Sequence, residues 1–476
     1  MQTPTQLFID GEWRAGSRPA FAVHDPASTD EIATVQNASP DDALAAVNAA
    51  ASARPAWAAA PPRTRSEVLR RAFELMITHT DELAELITRE NGKPIAEARG
   101  EVAYGAEFFR WFAEEAVRLD GQLVRAPNGA NRIMVLHQAI GVALAITPWN
   151  FPAAMATRKL APALAAGCSV VLKPAEQTPL TALRLAELLS EAGVPPGVVN
   201  VVPTDDPAPF TRAVFEHPAV RKISFTGSTE VGRELLALAA DRVLRSSMEL
   251  GGNAPFVVCD DADLDAAVEG AMLAKMRHNA QTCTAANRFY VHDRVADDFA
   301  ARLTARMTGL RTGPGIDPTT ELGPLIDHAA VQKVGALLDS ALAGGAREWG
   351  RGDTPDLPGS FFPAVVIDDV APDAAILDDE IFGPVAPIVR FGTDDDAIAM
   401  ANDTTRGLVA YVYSQDLSRA LRFAEAFETG MVGVNRGVVS DPAAPFGGAK
   451  QSGIGREGGH EGILEFTETK YVALDW

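Results

Sequence analysis

The chain has little cysteine: three residues in 476, at Cys168, Cys259 and Cys283, with no C-x-x-C pair among them. An odd, scattered set excludes a disulfide framework and argues against a zinc site, so no metal is expected. Thiols used this sparingly suit a reducing compartment, and the expectation is cytoplasmic. Basic residues are also short, 42 Lys and Arg against 63 Asp and Glu, a formal net charge of −21. That balance argues against nucleic acid or an anionic membrane surface as partner. It leaves an anionic substrate open, because a few arginines can reverse the sign of one pocket. Long hydrophobic runs are missing as well. The apolar run 139–147 is far too short to span a bilayer. Asp10 and Glu12 stand where a signal peptide would carry its basic and apolar regions, so none is read. There is no fixed-period repeat and no G-x-G-x-x-G.

What is present is the composition of an ordinary globular protein, 47% hydrophobic and 22% charged. The length suits two or three domains at roughly 150 residues each. After a short extended start, Ser39-Pro40-Asp41-Asp42 reads as a helix N-terminus, with Ser39 as cap and Pro40 in the first turn. Helical patterning then runs to about residue 119, with breaks expected at Arg54-Pro55, Pro61-Pro62 and Gly92-Lys93-Pro94.

From Gly141 the texture becomes a strict alternation. Apolar strands are predicted at 142–147, 169–173, 198–202, 221–225 and 243–248, with helices at 152–166, 178–193, 208–216 and 229–241. The strands are nearly continuous Val, Ile and Leu, as when both faces are covered, which implies a doubly wound parallel sheet. A second α/β region follows, with strands at 256–259, 288–292, 386–391, 408–413 and 431–434. The tail alternates from Phe466 to Val472 and reads as a strand in need of a neighbour, with pairing across a subunit interface as the expectation.

Ligands of open α/β sheets bind beyond the carboxyl ends of the strands. Those ends carry Pro148-Trp149-Asn150-Phe151-Pro152, then Lys173-Pro174-Ala175-Glu176, then Thr226-Gly227-Ser228, then Glu249-Leu250-Gly251-Gly252. An amide, a lysine, two carboxylates and a glycine turn can therefore gather on one edge. Gly227-Ser228, between a strand and a helix, suits a phosphate through free N–H groups and the helix dipole.

Pro148-Trp149-Asn150-Phe151-Pro152, Ser224-Phe225-Thr226-Gly227-Ser228-Thr229, Met248-Glu249-Leu250-Gly251-Gly252-Asn253, Gln281-Thr282-Cys283 and Glu380-Ile381-Phe382-Gly383-Pro384 occur in the order and spacing of one family. The chain, from about Phe8 to its C-terminus, resembles the aldehyde dehydrogenase superfamily. The resemblance implies a cofactor domain (1–118 and 140–250), a catalytic α/β domain (251–445) and a small β oligomerisation element with the C-terminal tail (119–139 and 446–476). It implies Cys283 as nucleophile, Glu249 as general base and Asn150 as oxyanion donor beside the Cys283 N–H. Sulfur suits the task, since a thiolate attacks readily and later leaves readily from a thioester. It further implies a nicotinamide cofactor held by Trp149, Lys173, Glu176, Thr226, Gly227, Ser228, Leu250, Glu380 and Phe382. Because Glu176 meets the ribose hydroxyls, NAD is expected, with NADP as the alternative.

Met155-Ala156-Thr157-Arg158-Lys159, Ala286-Asn287-Arg288 and Gly453-Ile454-Gly455-Arg456-Glu457-Gly458 are most similar to the succinate-semialdehyde branch. In that branch Arg158, Arg277 and Ser440 match residues that hold the substrate carboxylate, a task suited to a guanidinium fork. The expected reaction is oxidation of a small acidic aldehyde to the acid through a thiohemiacetal and a thioester, by a homodimer or homotetramer. Alternatives are glutarate or 2-oxoglutarate semialdehyde as substrate, a broad-specificity enzyme, a CoA-acylating or phosphorylating relative, or a non-catalytic binding relative. Two departures stand beside the nucleophile: His278 where the family has Asn, and Ala280 where it has Gly. An alanine at a position that needs φ > 0 is expected to be strained. Ala285 removes the second cysteine that some members carry.

Overall fold

The computed structural model describes residues 3–475. Two large sheets dominate it. The first has eight strands in the order Glu12–Arg14, Leu7–Ile9, Val199–Val201, Ser169–Lys173, Val142–Ile146, Val220–Thr226, Arg245–Glu249 and Gly453–Ile454. The five from Val199–Val201 to Arg245–Glu249 are parallel, and the flanking pairings are antiparallel. Winding runs outward from Val142–Ile146 in one direction and then reverses at Val220–Thr226. These two strands are neighbours, so the switch point lies between them, and a crevice opens beyond their carboxyl ends.

Alternate side chains of one strand serve opposite cores. Ala143 and Ala145 join one cluster while Val142, Leu144 and Ile146 join the other. This two-faced burial is why the strands read as unbroken apolar runs. The helix Pro152–Ala166 is buried along its whole length, wedged between sheet and helices, which explains its apolar, small-residue sequence.

The second sheet has seven strands in the order Arg347–Arg351, Val365–Asp368, Val385–Phe391, Ala286–His292, Ala254–Val258, Val409–Tyr413 and Met431–Val434. All pairings are parallel except the first. The two strands that went unpredicted are the polar edge strand Arg347–Arg351 and the short Val365–Asp368. The doubly wound cofactor sheet, the second α/β sheet and a small β element are thus the architecture observed.

Three expectations need correction. The helix Pro40–Ala59, capped by Ser39 with Asp42 in a reciprocal capping box, runs through Pro55 without breaking. The breaks at Pro61-Pro62 and Gly92-Lys93-Pro94 do occur, the first separating Pro40–Ala59 from Pro62–Thr78 and the second Thr80–Asn91 from Ile95–Glu115, while a further, unexpected break falls at His79. At the second of them Gly92 adopts φ 89°, which ends a helix without steric cost. The tail strand Thr467–Leu474 finds its neighbour in its own chain, pairing antiparallel with Arg132–Ala139 from Thr467 opposite Ala139 to Leu474 opposite Arg132. Gly453–Ile454, expected with the tail, closes the edge of the first sheet beside Glu249. Among the described residues no helix is long and apolar enough to cross a membrane.

Candidate active site

A cavity of about 590 Å³ opens at the switch point and receives walls from both large sheets and the C-terminal segment. Trp149, Asn150, Arg158, Thr226, Gly227, Ser228, Glu249, Leu250, Arg277, Cys283, Glu380, Phe382 and Ser440 all line it. Lys173 and Glu176 do not. They lie off the cavity, joined to each other at 3.2 Å, with Lys173 buried and Glu176 partly exposed.

Cys283 sits on the loop between the short helical turn Arg277–Ala280 and the strand Ala286–His292. It is partly exposed, whereas Cys168 and Cys259 are buried. Burial at the cavity floor, reinforced by the Glu380 charge, pushes its thiol up to about 12. The resting group is therefore a thiol that needs a base. Glu249, at the end of Arg245–Glu249, is 3% exposed, and neither carboxyl oxygen has a hydrogen-bond partner among the described residues. Burial first, and the Glu457 carboxylate second, hold its pKa well above the usual range. Glu457 itself is tied to Lys159 at 2.6 Å and to Arg158 at 3.6 Å. A carboxyl so desolvated binds its proton more tightly than an exposed one, which suits it to act as a base in the cavity.

The two glycines after Glu249 have separate steric reasons. A Cβ at Gly251 would meet the Glu380 carboxylate, and one at Gly252 would overlap the Cys283 carbonyl oxygen. The base-bearing strand exit and the cysteine loop touch through backbone alone. Gly252→Ala should lower kcat by about a hundredfold, since an ångström of displacement at a nucleophile costs that much. Steady-state turnover beside a cofactor titration checks this; unchanged turnover would show that the loop relaxes freely.

The nucleophile loop is held in an uncommon shape. His278, Asn279 and Ala280 have φ 56°, 53° and 62°, so the strain expected at Ala280 is present and extends over three residues. Left-handed backbone costs an L-residue about 1–2 kcal/mol. It persists because its anchors are many. The His278 N–H donates to the Glu97 carboxylate. The Asn279 side chain donates to the Pro324 carbonyl at 3.0 Å and accepts from the Gly323 N–H at 2.7 Å. Gln281 Oε1 accepts from the Ile326 N–H at 2.9 Å. The His278 ring lies against Phe151, centroids 4.7 Å apart, with neither nitrogen hydrogen-bonded among the described residues. Burial, then Lys93 and Arg277, push its pKa well down, so it is neutral.

Asn150 Nδ2 donates one hydrogen to the Gln281 carbonyl at 3.1 Å, which leaves its second N–H for another acceptor. On the opposite wall Ser228 caps the helix Thr229–Ala240 by accepting from the Val231 N–H. The Gly227 N–H donates to the Glu249 carbonyl at 3.0 Å. A Cβ at Gly232 would collide with Leu250, so the helix lies close on the strand end. Glu380 accepts from the Gly252 N–H at 3.0 Å, and Phe382 stands edge-on to Trp149 at 5.6 Å. A helix N-terminus, close-packed glycines, a buried carboxylate and an aromatic pair form a groove that fits an extended dinucleotide.

The arginines differ in freedom. Arg158 is 2% exposed, donates to the Tyr104 hydroxyl, and lies 4.1 Å from the Phe446 ring. Arg277 makes no ion pair among the described residues, its guanidinium lying 5.7 Å from the Phe151 ring. Tyr104, Lys93, Glu97 and Glu101 also line the cavity and were not singled out as site residues from the sequence. They sit on or before the helix Ile95–Glu115, where local pattern reads only as an amphipathic surface. Glu457 was visible only as part of a matched run, and Phe446 was not singled out.

Known proteins share this arrangement. The pattern described as "Aldehyde dehydrogenase family" matches residues 13–472. A succinate-semialdehyde dehydrogenase of Paenarthrobacter nicotinovorans is 54% identical, over 93% of this chain and 98% of its own. A glutarate-semialdehyde dehydrogenase of Pseudomonas putida is 49% identical, over 98% of this chain and 97% of its own. The crystal structure of an NADP dependent enzyme of E. coli superposes with a TM-score of 0.98 at 49% identity, covering 100% of this chain and 98% of that one. A cysteine and a desolvated carboxyl meeting over a dinucleotide-shaped groove thus have full-length relatives of one kind, and the chain belongs to the aldehyde dehydrogenase family.

Proposed function

We propose that the chain oxidises an acidic semialdehyde, succinate semialdehyde before others, to the dicarboxylate. The observation that carries this is Arg277, a cation that makes no salt bridge among the described residues, reaches Glu97 through its charge alone, and lines the same cavity as Cys283 and Glu249. Arg158 and Ser440 complete a carboxylate-binding end on this reading. The relatives named for succinate and glutarate semialdehyde support the substrate class.

Glu249 takes the Cys283 proton, and the sulfur attacks the aldehyde carbon to give a thiohemiacetal. Asn150 Nδ2 and the Cys283 N–H donate to the oxyanion, one such donor being worth about 3 kcal/mol of barrier. A nicotinamide held by Trp149, Thr226, Gly227, Ser228, Leu250, Glu380 and Phe382 would supply the acceptor for the hydride that the thiohemiacetal carbon gives up. Once Glu249 has released the Cys283 proton to solvent, it takes a proton from water. The resulting hydroxide attacks the thioester carbon, and that proton passes to the departing sulfur to return the thiol. Glu249 favours water as the acceptor over CoA or phosphate, and dependence of turnover on either would reverse that reading. A panel of succinate, glutarate and 2-oxoglutarate semialdehydes with uncharged butyraldehyde, each with its kcat/KM, tests the assignment. Highest efficiency with butyraldehyde would overturn it.

NAD is the preferred cofactor on the strength of Glu176, whose carboxylate pairs with Lys173. A 2′-phosphate beside it would meet like charge and lose a hydrogen bond. The E. coli structure is described as NADP dependent, so the two chains are expected to differ here. Glu176→Ser should move the NADP/NAD ratio of kcat/KM at least about tenfold towards NADP. A wild-type preference for NADP would refute the reading.

Assembly as a homodimer or homotetramer in the reducing cytoplasm completes the proposal. It is supported by the small sheet of Gln122–Arg125, Arg132–Ala139 and Thr467–Leu474, whose two outer strands each carry an open edge. Exposed Leu123, Val124 and Tyr471 lie on those strands.

A further inference from the structure

The segment that presents Asn150 lies between Pro148 and Pro152, neither of which has an N–H to give, so regular backbone pairing cannot fix it. Its fixation comes from side chains supplied elsewhere: Asn91 Nδ2 and Thr178 Oγ1 donate to the Trp149 carbonyl at 3.0 and 3.3 Å, and a buried ion pair holds the residues that follow. Lys93 Nζ pairs with the Glu101 carboxylate, donates to the Asn150 carbonyl at 2.8 Å, and sits 4.3 Å over the Phe151 ring. The other Glu101 oxygen, Oε1, accepts from the N–H groups of Ala153 at 2.8 Å and Ala154 at 3.2 Å, in the first turn of Pro152–Ala166. One dyad therefore grips the chain on both sides of Pro152. Both side chains are 1% exposed.

A buried pair of this kind has a small or adverse net effect on stability compared with apolar residues of equal volume. Its value here is geometric. The amide of Asn150 can meet an oxyanion only if its backbone is held to a fraction of an ångström, and the side chain's one other bond, to the Gln281 carbonyl, lies on the strained nucleophile loop. We infer that Lys93 and Glu101 are positioning residues that aim Asn150 at the oxyanion, so that their contribution to turnover passes through the Asn150 amide. This rests on the reading of Asn150 as oxyanion donor.

The experiment is a double-mutant cycle read with succinate semialdehyde and NAD. Lys93→Met should lower kcat at least about tenfold, with KM for both substrates within about twofold of the parent. In an Asn150→Ala background, itself slowed about a hundredfold or more, Lys93→Met should remove less than about a further twofold. A structural residue would move the melting temperature in both backgrounds and turnover by the same factor in both. Glu101→Gln keeps an oxygen for Ala153 and Ala154 and should show the same dependence on Asn150, which keeps the test decisive if Lys93→Met fails to fold. Equal losses in both backgrounds, or undiminished kcat beside an intact Asn150, would overturn the inference while leaving Asn150 as donor. Full turnover by Asn150→Ala would overturn both.

Discussion

The Cys283→Ala protein should release no NADH from succinate semialdehyde, in the first turnover or later, while still binding cofactor. The side chain lost is the one thiol lining the cavity among the described residues, and Cys168 and Cys259 are buried. Glu249→Gln should differ in kind. The amide fills the same desolvated space but takes no proton, so hydrolysis of the thioester should slow by about 10²–10⁴. A pre-steady-state burst of NADH should remain but form more slowly, because the variant lacks the acceptor for the Cys283 proton while Arg158 and Arg277 still favour the thiolate. Rapid-mixing fluorescence separates the two variants, and loss of the burst in Glu249→Gln would mean the base is required before acylation. The sign of the pH effect follows from burial. With the Glu249 pKa raised, the unprotonated base grows as pH rises through that value, so kcat limited by hydrolysis should climb with pH and Glu249→Gln should flatten that limb.

The second large effect is on selectivity. Arg277→Ala should lower kcat/KM for succinate semialdehyde by about thirty-fold or more, since losing one partner of a desolvated charged contact costs about 2–5 kcal/mol. Butyraldehyde, with no carboxylate to be left unpaired, should change little or improve. Arg158→Ala should behave otherwise. That guanidinium already serves Tyr104 and Glu457, so its removal leaves buried groups without their cation and should harm both aldehydes. Equal losses for both aldehydes in Arg277→Ala would make that arginine structural, and the semialdehyde assignment would fall while the dehydrogenase assignment stood.

How far the sequence alone could reach depended on what each feature encodes locally. The parallel strands were legible because two-sided burial leaves unbroken Val, Ile and Leu, and Cys283, Glu249 and Asn150 stood out as candidates because each lies in a run that resembles one family. Arg347–Arg351 was not, since an edge strand of Arg, Glu, Trp and Gly carries no such run. Pro55 was read as a break, yet the helix tolerates it. Ala280 could be recognised as strained from its substitution for glycine. The left-handed turn at His278 and Asn279 could not, because its causes are Glu97 and residues 323–326, all distant in sequence. The grip of Lys93 and Glu101 on residues 150–154 is invisible for the same reason: only folding brings them together.

The last strand of the first sheet carries a consequence for biosynthesis. Glu249 lies on Arg245–Glu249, whose outer neighbour is Gly453–Ile454, with Gly453 directly opposite Glu249 and the Leu250 N–H bonded to the Ser452 carbonyl at 2.9 Å. The ribosome makes that neighbour some two hundred residues after the base, and Glu457, which tunes the base, later still. Until that segment is made, the outer edge of Arg245–Glu249 lacks the partner strand it has in the folded chain. The nucleophile loop can form while synthesis proceeds, but the chemistry of the base is switched on only when the end of the chain returns to cover it.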